Sequence, residues 1–273
     1  MAKQFLEQDK SYDIILATDM LDLSTFLSLT REKSTGIPTA IYFHENQLTY
    51  PWSETDRDLE HKRDLHYGFI NYASALSADK VFFNSAYHRE SFLEALGKFL
   101  RFYPDERNLD TIPILEQKSE VWHLGLDLKR FDKHRVEKDW RVPRILWNHR
   151  WEYDKNPEEF FEGIRHLKAE RIPFELVVLG GNFAQSPRVF EEAEKEFSNE
   201  IIQWGYCESF EEYASWLWKS DFLPVTSNQD FFGISIVEAA YCCVEPLLPK
   251  RLSYPELFPF DHQYSDYRLA LQE

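Results

Sequence analysis

The stretch WNHRWEYDKNP, residues 147–157, sets two cations, Arg150 and Lys155, beside a helix start. Asn156, Pro157 and Glu159 supply that start: Asn at the cap, proline at the first helical position where its missing N–H costs nothing, and an acid in the first turn. The preceding run RILWNHR (144–150) is short and apolar and reads as a strand. Arg150 and Lys155 therefore fall in the loop at a strand's carboxyl end, beside a helix N-terminus that favours anions, and two cations there suit a diphosphate. The inert alternative is that they pair with Glu152, Asp154 and other surface acids, as most surface charges do. A second stretch, SNQDFFGISIVEAAYCCVEPLLP (227–249), ends a strand and places Asp230. Phe232 and Gly233 then let the backbone approach something closely, and a helix begins that carries Glu238.

These residues need a scaffold, and the hydrophobic pattern supplies one. YDIILAT (12–18), TAIYF (39–43), KVFFN (80–84) and EVWHL (120–124) read as buried strands. Helical patterns lie between them, among them about Asp58 to Leu76 and a helix capped by Ser85 that contains Phe92, Leu93 and Leu96. The rhythm restarts after Pro143 with RILWNHR, FELVVLGG (174–181), IIQWGY (201–206), DFLPVTS (221–227) and EPLLP (245–249). Strand and helix in alternation predict an α/β protein of parallel sheets covered by helices on both faces. The charged segment LGLDLKRFDKHRVEKDWRVPR is the best domain boundary. The expectation is thus two doubly wound, Rossmann-like domains, 1–140 and 141–273, facing each other across a cleft.

Composition narrows the function classes. Of the 273 residues, 43% are hydrophobic and 16% aromatic, which excludes a disordered or fibrous chain. No window reaches the roughly 18 to 20 apolar residues of a membrane-spanning helix, and MAKQFLEQDK is too polar for a signal peptide, so a cytoplasmic chain without membrane insertion is expected. The three cysteines, Cys207, Cys242 and Cys243, cannot form a disulfide framework and are expected to be buried thiols. No C-x-x-C or H-E-x-x-H pattern suggests a metal, and no G-x-G-x-x-G after a strand suggests a dinucleotide. A net charge of −16 opposes unspecific attraction to nucleic acid.

The acid, seven residues, acid arrangement of NQDFFGISIVEAAY, the Arg/Lys pair of NHRWEYDKNP and the linker HLGLDLKRF together resemble the large retaining glycosyltransferase family with the GT-B fold. A narrower resemblance rests on YFHENQLTYP, LSADKVFFNSAYHRESFL, WNHRWEYDKNP and LLPKRLSYPELFP, which look like the tRNA-queuosine mannosyltransferase branch. That resemblance implies transfer of mannose from GDP-mannose to the cyclopentenediol of queuosine in tRNA, with retention by same-face attack and without a protein nucleophile or metal. Carried over residue by residue, Arg150 and Lys155 would grip the donor diphosphate and Glu238 would accept the ribose hydroxyls. Asp230, with the backbone at Phe232 and Gly233, would hold sugar hydroxyls, and His44 would reach the sugar from the other domain.

An acidic chain that acts on tRNA needs a local basic patch. The run from Lys129 to Arg144 is the strongest in the chain, and Lys133, Arg135 and Lys138 are its candidates for RNA contact, against the inert alternative of a solvated linker. The sequence departs from the family in having Asp230 rather than Glu as first acid and Cys243 where a small residue or Gly is usual. No Gly-rich loop or strand precedes YDIILAT, and the terminal helices are not recognisable after LALQE. A chain shortened at both ends is therefore expected, with a binding-only protein as the competing function, or transfer to another glycan or small acceptor.

Overall fold

The computed structural model describes residues 1–51, 65–138, 141–181, 187–258 and 263–264. The chain forms two compact units, Met1–Leu124 and Gly125–Glu273. In the first, the elements are α1 (Ala2–Glu7), β1 (Ile15–Thr18), α2 (Leu23–Leu29), α3 (Arg31–Ser34), β2 (Thr39–Phe43), α4 (His66–Ser77), β3 (Lys80–Phe83), α5 (Ala86–Arg101), α6 (Thr111–Lys118) and β4 (Ser119–Val121). All four strands are parallel and lie in chain order, β1-β2-β3-β4. Alternate residues Ala17, Ile41, Phe43, Val81 and Phe83 are buried in one core with Phe92 and Leu96 of α5. Residues on the opposite face are more open, Leu16 being 63% exposed and Trp122 60%. Ser85 caps α5 as expected, its Oγ accepting the His88 N–H at 3.0 Å. Part of the helix expected from about Asp58 lies outside the described residues.

The second unit opens with a 3-10 segment, Leu128–His134. It continues through β5 (Arg144–Trp147), α7 (Pro157–Ala169), β6 (Glu175–Leu179), α8 (Arg188–Glu196), β7 (Ile201–Gly205), α9 (Phe210–Lys219), β8 (Phe222–Pro224), α10 (Ile234–Tyr241), β9 (Glu245–Pro249), α11 (Tyr254–Leu257) and β10 (Gln263–Tyr264). Its sheet is parallel, in the order β10-β9-β8-β5-β6-β7. Side chains alternate between two cores, because successive strand residues point to opposite faces. Ile145, Trp147, Leu176 and Val178 pack with Phe160, Phe161 and Phe190 on one side. Leu146, Val177, Leu179 and Leu223 pack with Leu217, Trp218 and Ile236 on the other.

The division falls at Leu124/Gly125, earlier than the boundary expected near residue 140. Its cause is Phe131, which is fully buried in the second unit's core while its carbonyl accepts the Trp218 Nε1–H at 2.9 Å. A mostly polar segment is thus pinned to the second unit by the Phe131 ring, with Leu128 and Val136 packed beside it. Two of the cysteines, Cys207 and Cys242, are buried as expected, and burial pushes their thiols up to about 11 and about 12. Cys243 is exposed instead, at φ 59°, the left-handed position that follows α10. Val244 N–H returns to Ala239 O and Cys243 N–H to Ala240 O, a helix end that glycine usually supplies.

Candidate active site

Strand order in the second sheet reverses between β5 and β8: from β5 the chain builds outward to β6 and β7, then crosses back to β8, β9 and β10. The carboxyl ends of two strands whose connections diverge leave a crevice, the usual ligand position in an open α/β sheet. The loop after β5 carries Asn148 to Asn156, and the loop after β8 carries Val225 to Gly233. They are tied together by Asn228 N–H to Asp154 O at 2.8 Å and by Thr226 Oγ1 to the carbonyls of Lys155 and Asn156 at 3.0 and 2.9 Å.

Lys155 is at the centre of this junction, its side chain only 10% exposed. Its Nζ donates to Asp230 Oδ1 at 2.9 Å and Gln229 O at 2.8 Å, and stands 3.1 Å from Asp154 Oδ2. Three acceptors match the three N–H donors of an ammonium. Burial alone would lower the Lys155 pKa, but the two carboxylates outweigh it and hold the group above its usual value. Burial likewise works against ionised Asp230, and the Lys155 ammonium, with His149 and a 2.6 Å hydrogen bond from Tyr254 Oη, holds that carboxyl below its usual value.

Arg150 is placed differently: its side chain is 53% exposed, 3.2 Å from Glu152 Oε2 and 4.0 Å from Asp154 Oδ2. The pairing with Glu152 and Asp154 that the sequence offered as the inert alternative is therefore present for Arg150, whereas Lys155 pairs with Asp154 and Asp230. Asn156 stands at the start of α7 as expected, yet at φ 52°, with its side-chain amide donating to Glu159 rather than accepting a backbone N–H. The His149 ring is buried with Nδ1 3.0 Å from Ser235 Oγ, and burial lowers its pKa to about 4. Its carbonyl lies where a Cβ on Gly180 would come within 2.5 Å, so the LGG turn after β6 tolerates only glycine there.

Glu238 lies on the inner side of α10, 8% exposed. Arg130 donates to its Oε1 at 2.8 Å and Tyr213 Oη to its Oε2 at 2.9 Å. Tyr213 also lines a cavity of about 510 Å³ with Asn148, His149, Arg150, Gly181 and Tyr206. Phe232 is buried, and Gly233 at φ 85° turns the chain into α10. In the first unit, His44 follows β2 with its side chain 51% exposed, so it is no buried histidine.

The second unit thus brings Arg150, Lys155, Asp230, Phe232 and Gly233, on two neighbouring loops, and Glu238, on α10, to the carboxyl end of one sheet. Arg130, Tyr213 and Tyr254 were not singled out from sequence as partners of these acids. Nothing local marks them: Tyr213 is 25 residues from Glu238 along the chain and Arg130 is 108. The expected RNA surface is corrected in part. Lys138 is folded in, its side chain 9% exposed, 3.6 Å from Asp221 and donating to the carbonyls of Ser220 and Cys243. Arg135 lays its guanidinium 5.1 Å from the Trp218 ring centre, and Lys133 is exposed. Among the described residues no cluster of three or more His, Cys, Asp or Glu could hold a metal, and no helix is long and apolar enough to cross a membrane.

Residues 1–126 match the family model described as tRNA-queuosine alpha-mannosyltransferase N-terminal. Over 270 residues the chain is 30% identical to the tRNA-queuosine alpha-mannosyltransferase of Drosophila melanogaster, spanning 96% of this chain and 70% of that protein. The chain belongs to the tRNA-queuosine alpha-mannosyltransferase family. Solved structures place this family member's fold among the GT-B glycosyltransferases. Anabaena HepE, solved in complex with UDP, aligns with a TM-score of 0.66 at 13% identity over 99% of this chain and 70% of its own. A UDP-forming trehalose-phosphate synthase from Burkholderia xenovorans aligns at 0.66 and 16% identity over 99% of this chain and 67% of its own. At such identities the likeness is one of fold, and the glycosyltransferase assignment itself rests on the family.

Proposed function

We propose that this member of the family transfers mannose from GDP-mannose to the cyclopentenediol of queuosine in tRNA, with retention and without a metal ion. The observation that carries the reading is the identity to the Drosophila mannosyltransferase across nearly the whole chain. The crevice chemistry agrees with it. A departing nucleoside diphosphate develops negative charge, and cations held in place before the reaction are the largest electrostatic aid to its departure. Lys155 is fixed beside the crevice by Asp154, Asp230 and Gln229, and its ammonium would turn from one of these acceptors to meet a phosphate oxygen. Arg150, exposed and paired with Glu152, can exchange that partner for a phosphate. Together they take the place a divalent ion would otherwise fill.

Glu238 is held by Arg130 and Tyr213 through one bond to each oxygen. A carboxylate oxygen has two acceptor positions, so Glu238 keeps capacity for the two ribose hydroxyls. Asp230 orients Lys155 and retains acceptor positions for a sugar hydroxyl, while the backbone at Phe232 and Gly233 offers donors. His44, half-exposed at the end of β2 in the first unit, is the further candidate for a sugar contact. With retention by same-face attack, the leaving phosphate can take the acceptor's proton, and the protein's task is orientation and charge stabilisation.

The test is transfer itself. The chain is incubated in EDTA with GDP-mannose and either queuosine-containing tRNA or the same tRNA lacking queuosine, and digested nucleosides are weighed by mass spectrometry. One added hexose on queuosine alone, with the α-anomeric configuration, is expected. A product from UDP-glucose but not GDP-mannose, or modification of both tRNAs, would refute the donor or the acceptor respectively.

A further inference from the structure

Strands β1 and β2 run side by side with Thr18 level with Tyr42, so the residues that leave their carboxyl ends, Asp19 and His44, emerge together. Asp19 Oδ1 accepts the His44 backbone N–H at 2.9 Å and lies 3.4 Å from the ring Nδ1. The carboxylate is 4% exposed and the imidazole 51%, so a fixed buried acid backs an accessible ring. Asn84 Nδ2 donates to His44 O at 2.9 Å, and Asn71 Nδ2 donates to Asp19 O at 3.1 Å. The Tyr42 ring packs with its centre 4.8 Å from that of the imidazole. The ends of three strands and the middle of α4 thus fix the backbone on which Asp19 and the partly exposed His44 ring stand.

We infer that Asp19 is a positioning residue for His44. Its carboxylate keeps the imidazole proton on Nδ1, which leaves the Nε2 lone pair as the acceptor presented to a sugar hydroxyl. An imidazole's two nitrogens are chemically distinct, and the partner of one decides what the other can do. The inference rests on the reading of His44 as a sugar contact, and it adds which nitrogen makes that contact and what fixes it.

The experiment compares the parent with Asp19→Asn, His44→Ala and the double variant. Asparagine keeps an oxygen for the His44 backbone N–H and removes the charge. Asp19→Asn should lower kcat about tenfold or more, since small misplacements of a contact are costly, while the Kd for GDP-mannose stays within about twofold. In the His44→Ala background the same change should be without further effect, because a residue that acts through His44 has nothing left to position. Independent losses that multiply in the double variant would overturn the inference.

Nitrogen-15 spectra of neutral His44 in the parent provide a second readout, independent of activity and of any variant's folding. A predominant Nδ1–H tautomer that is lost in Asp19→Asn supports the inference, and an Nε2–H tautomer in the parent overturns it. If His44→Ala keeps full kcat, or the parent transfers nothing, the reading of His44 or of the reaction fails, and the tautomer still decides whether Asp19 sets the ring.

Discussion

The two sheets differ in a way that separates their roles. The first runs in chain order, and the described residues bury one face in a single core. The second reverses at β5 and β8 and buries both faces in two cores. Only a reversal opens a crevice between strand ends, so the charged candidates collect in the second unit. The fastenings differ too: amide side chains and Asp19 hold the loop after β2, whereas the loop after β5 is closed around the buried Asp154–Lys155–Asp230 group. Amide hydrogen bonds and one carboxylate set the shape of the first loop, and the second is set by a buried cation between two carboxylates.

The severest way to break that contrast is Lys155→Ala, which leaves two carboxylates facing each other in a buried junction. Removing one partner of a buried ion pair costs about 3 to 5 kcal/mol, so urea unfolding should show a large loss of stability as well as a loss of donor binding. An equivalent cut in the first unit, Asn84→Ala, removes neutral bonds and should cost about 1 to 3 kcal/mol.

Both units also contain a buried histidine whose pKa is lowered chiefly by burial, His88 to about 3 and His149 to about 4. Folded, each stays neutral; unfolded, each takes up a proton near pH 6.5. Stability is therefore fully present above pH 6.5 and falls as the pH drops, until about pH 4 for His149 and about pH 3 for His88. Each group adds a slope of about 1.4 kcal/mol per pH unit within its window. His149→Gln should reduce the slope measured by urea unfolding between pH 6 and pH 4 by about that amount, and an unchanged slope would show that His149 is protonated in the folded chain. Asp230 acts lower: its depressed pKa adds stability that is fully present above the ordinary carboxyl value of 3.8 and is lost as the pH falls further.

Arg150→Ala sharpens the contrast within one loop. More than half exposed, Arg150 should leave stability within about 0.5 kcal/mol and weaken GDP-mannose binding by about 1.5 to 3 kcal/mol. The sequence treats Arg150 and Lys155 as an equivalent pair, and the structure separates them into one half-exposed cation and one enclosed by two carboxylates. The smallest effect is expected in the basic run. Charge reversal at Lys133 alone should reduce the salt slope of tRNA binding by about 0.7 to 0.9, whereas Lys138→Ala should lower stability, since its ammonium is enclosed by Asp221, Ser220 and Cys243.

Much of this was legible in the residues. TAIYF and EPLLP became β2 and β9 over the expected spans and the other expected strands are present, because buried parallel strands are short continuous apolar runs between turn formers; EVWHL is the exception, contributing only Glu120 and Val121 to β4, both exposed. β10 was not read, as two residues, Gln263 and Tyr264, give no periodicity. The boundary falls earlier than the charge pattern suggests because apolar residues scattered through that segment, Leu128, Phe131 and Val136, pack on the second unit's core, which charge counting overlooks. The Asp230 to Glu238 spacing announced the second loop. The partners Arg130, Tyr213 and Tyr254 needed the fold, since contacts between distant chain positions leave no local pattern.

The central claim, that the reversal in the second sheet holds a guanosine diphosphate sugar on Arg150 and Lys155 without a metal, is tested most directly by calorimetry in EDTA. GDP-mannose, UDP-glucose and ADP-glucose are titrated into the parent chain and into Arg150→Ala. Saturable binding of GDP-mannose in preference to the other two, weakened about 10- to 150-fold by the substitution, is the predicted result. Equal affinity in both proteins, or binding only after magnesium or manganese is added, would contradict it.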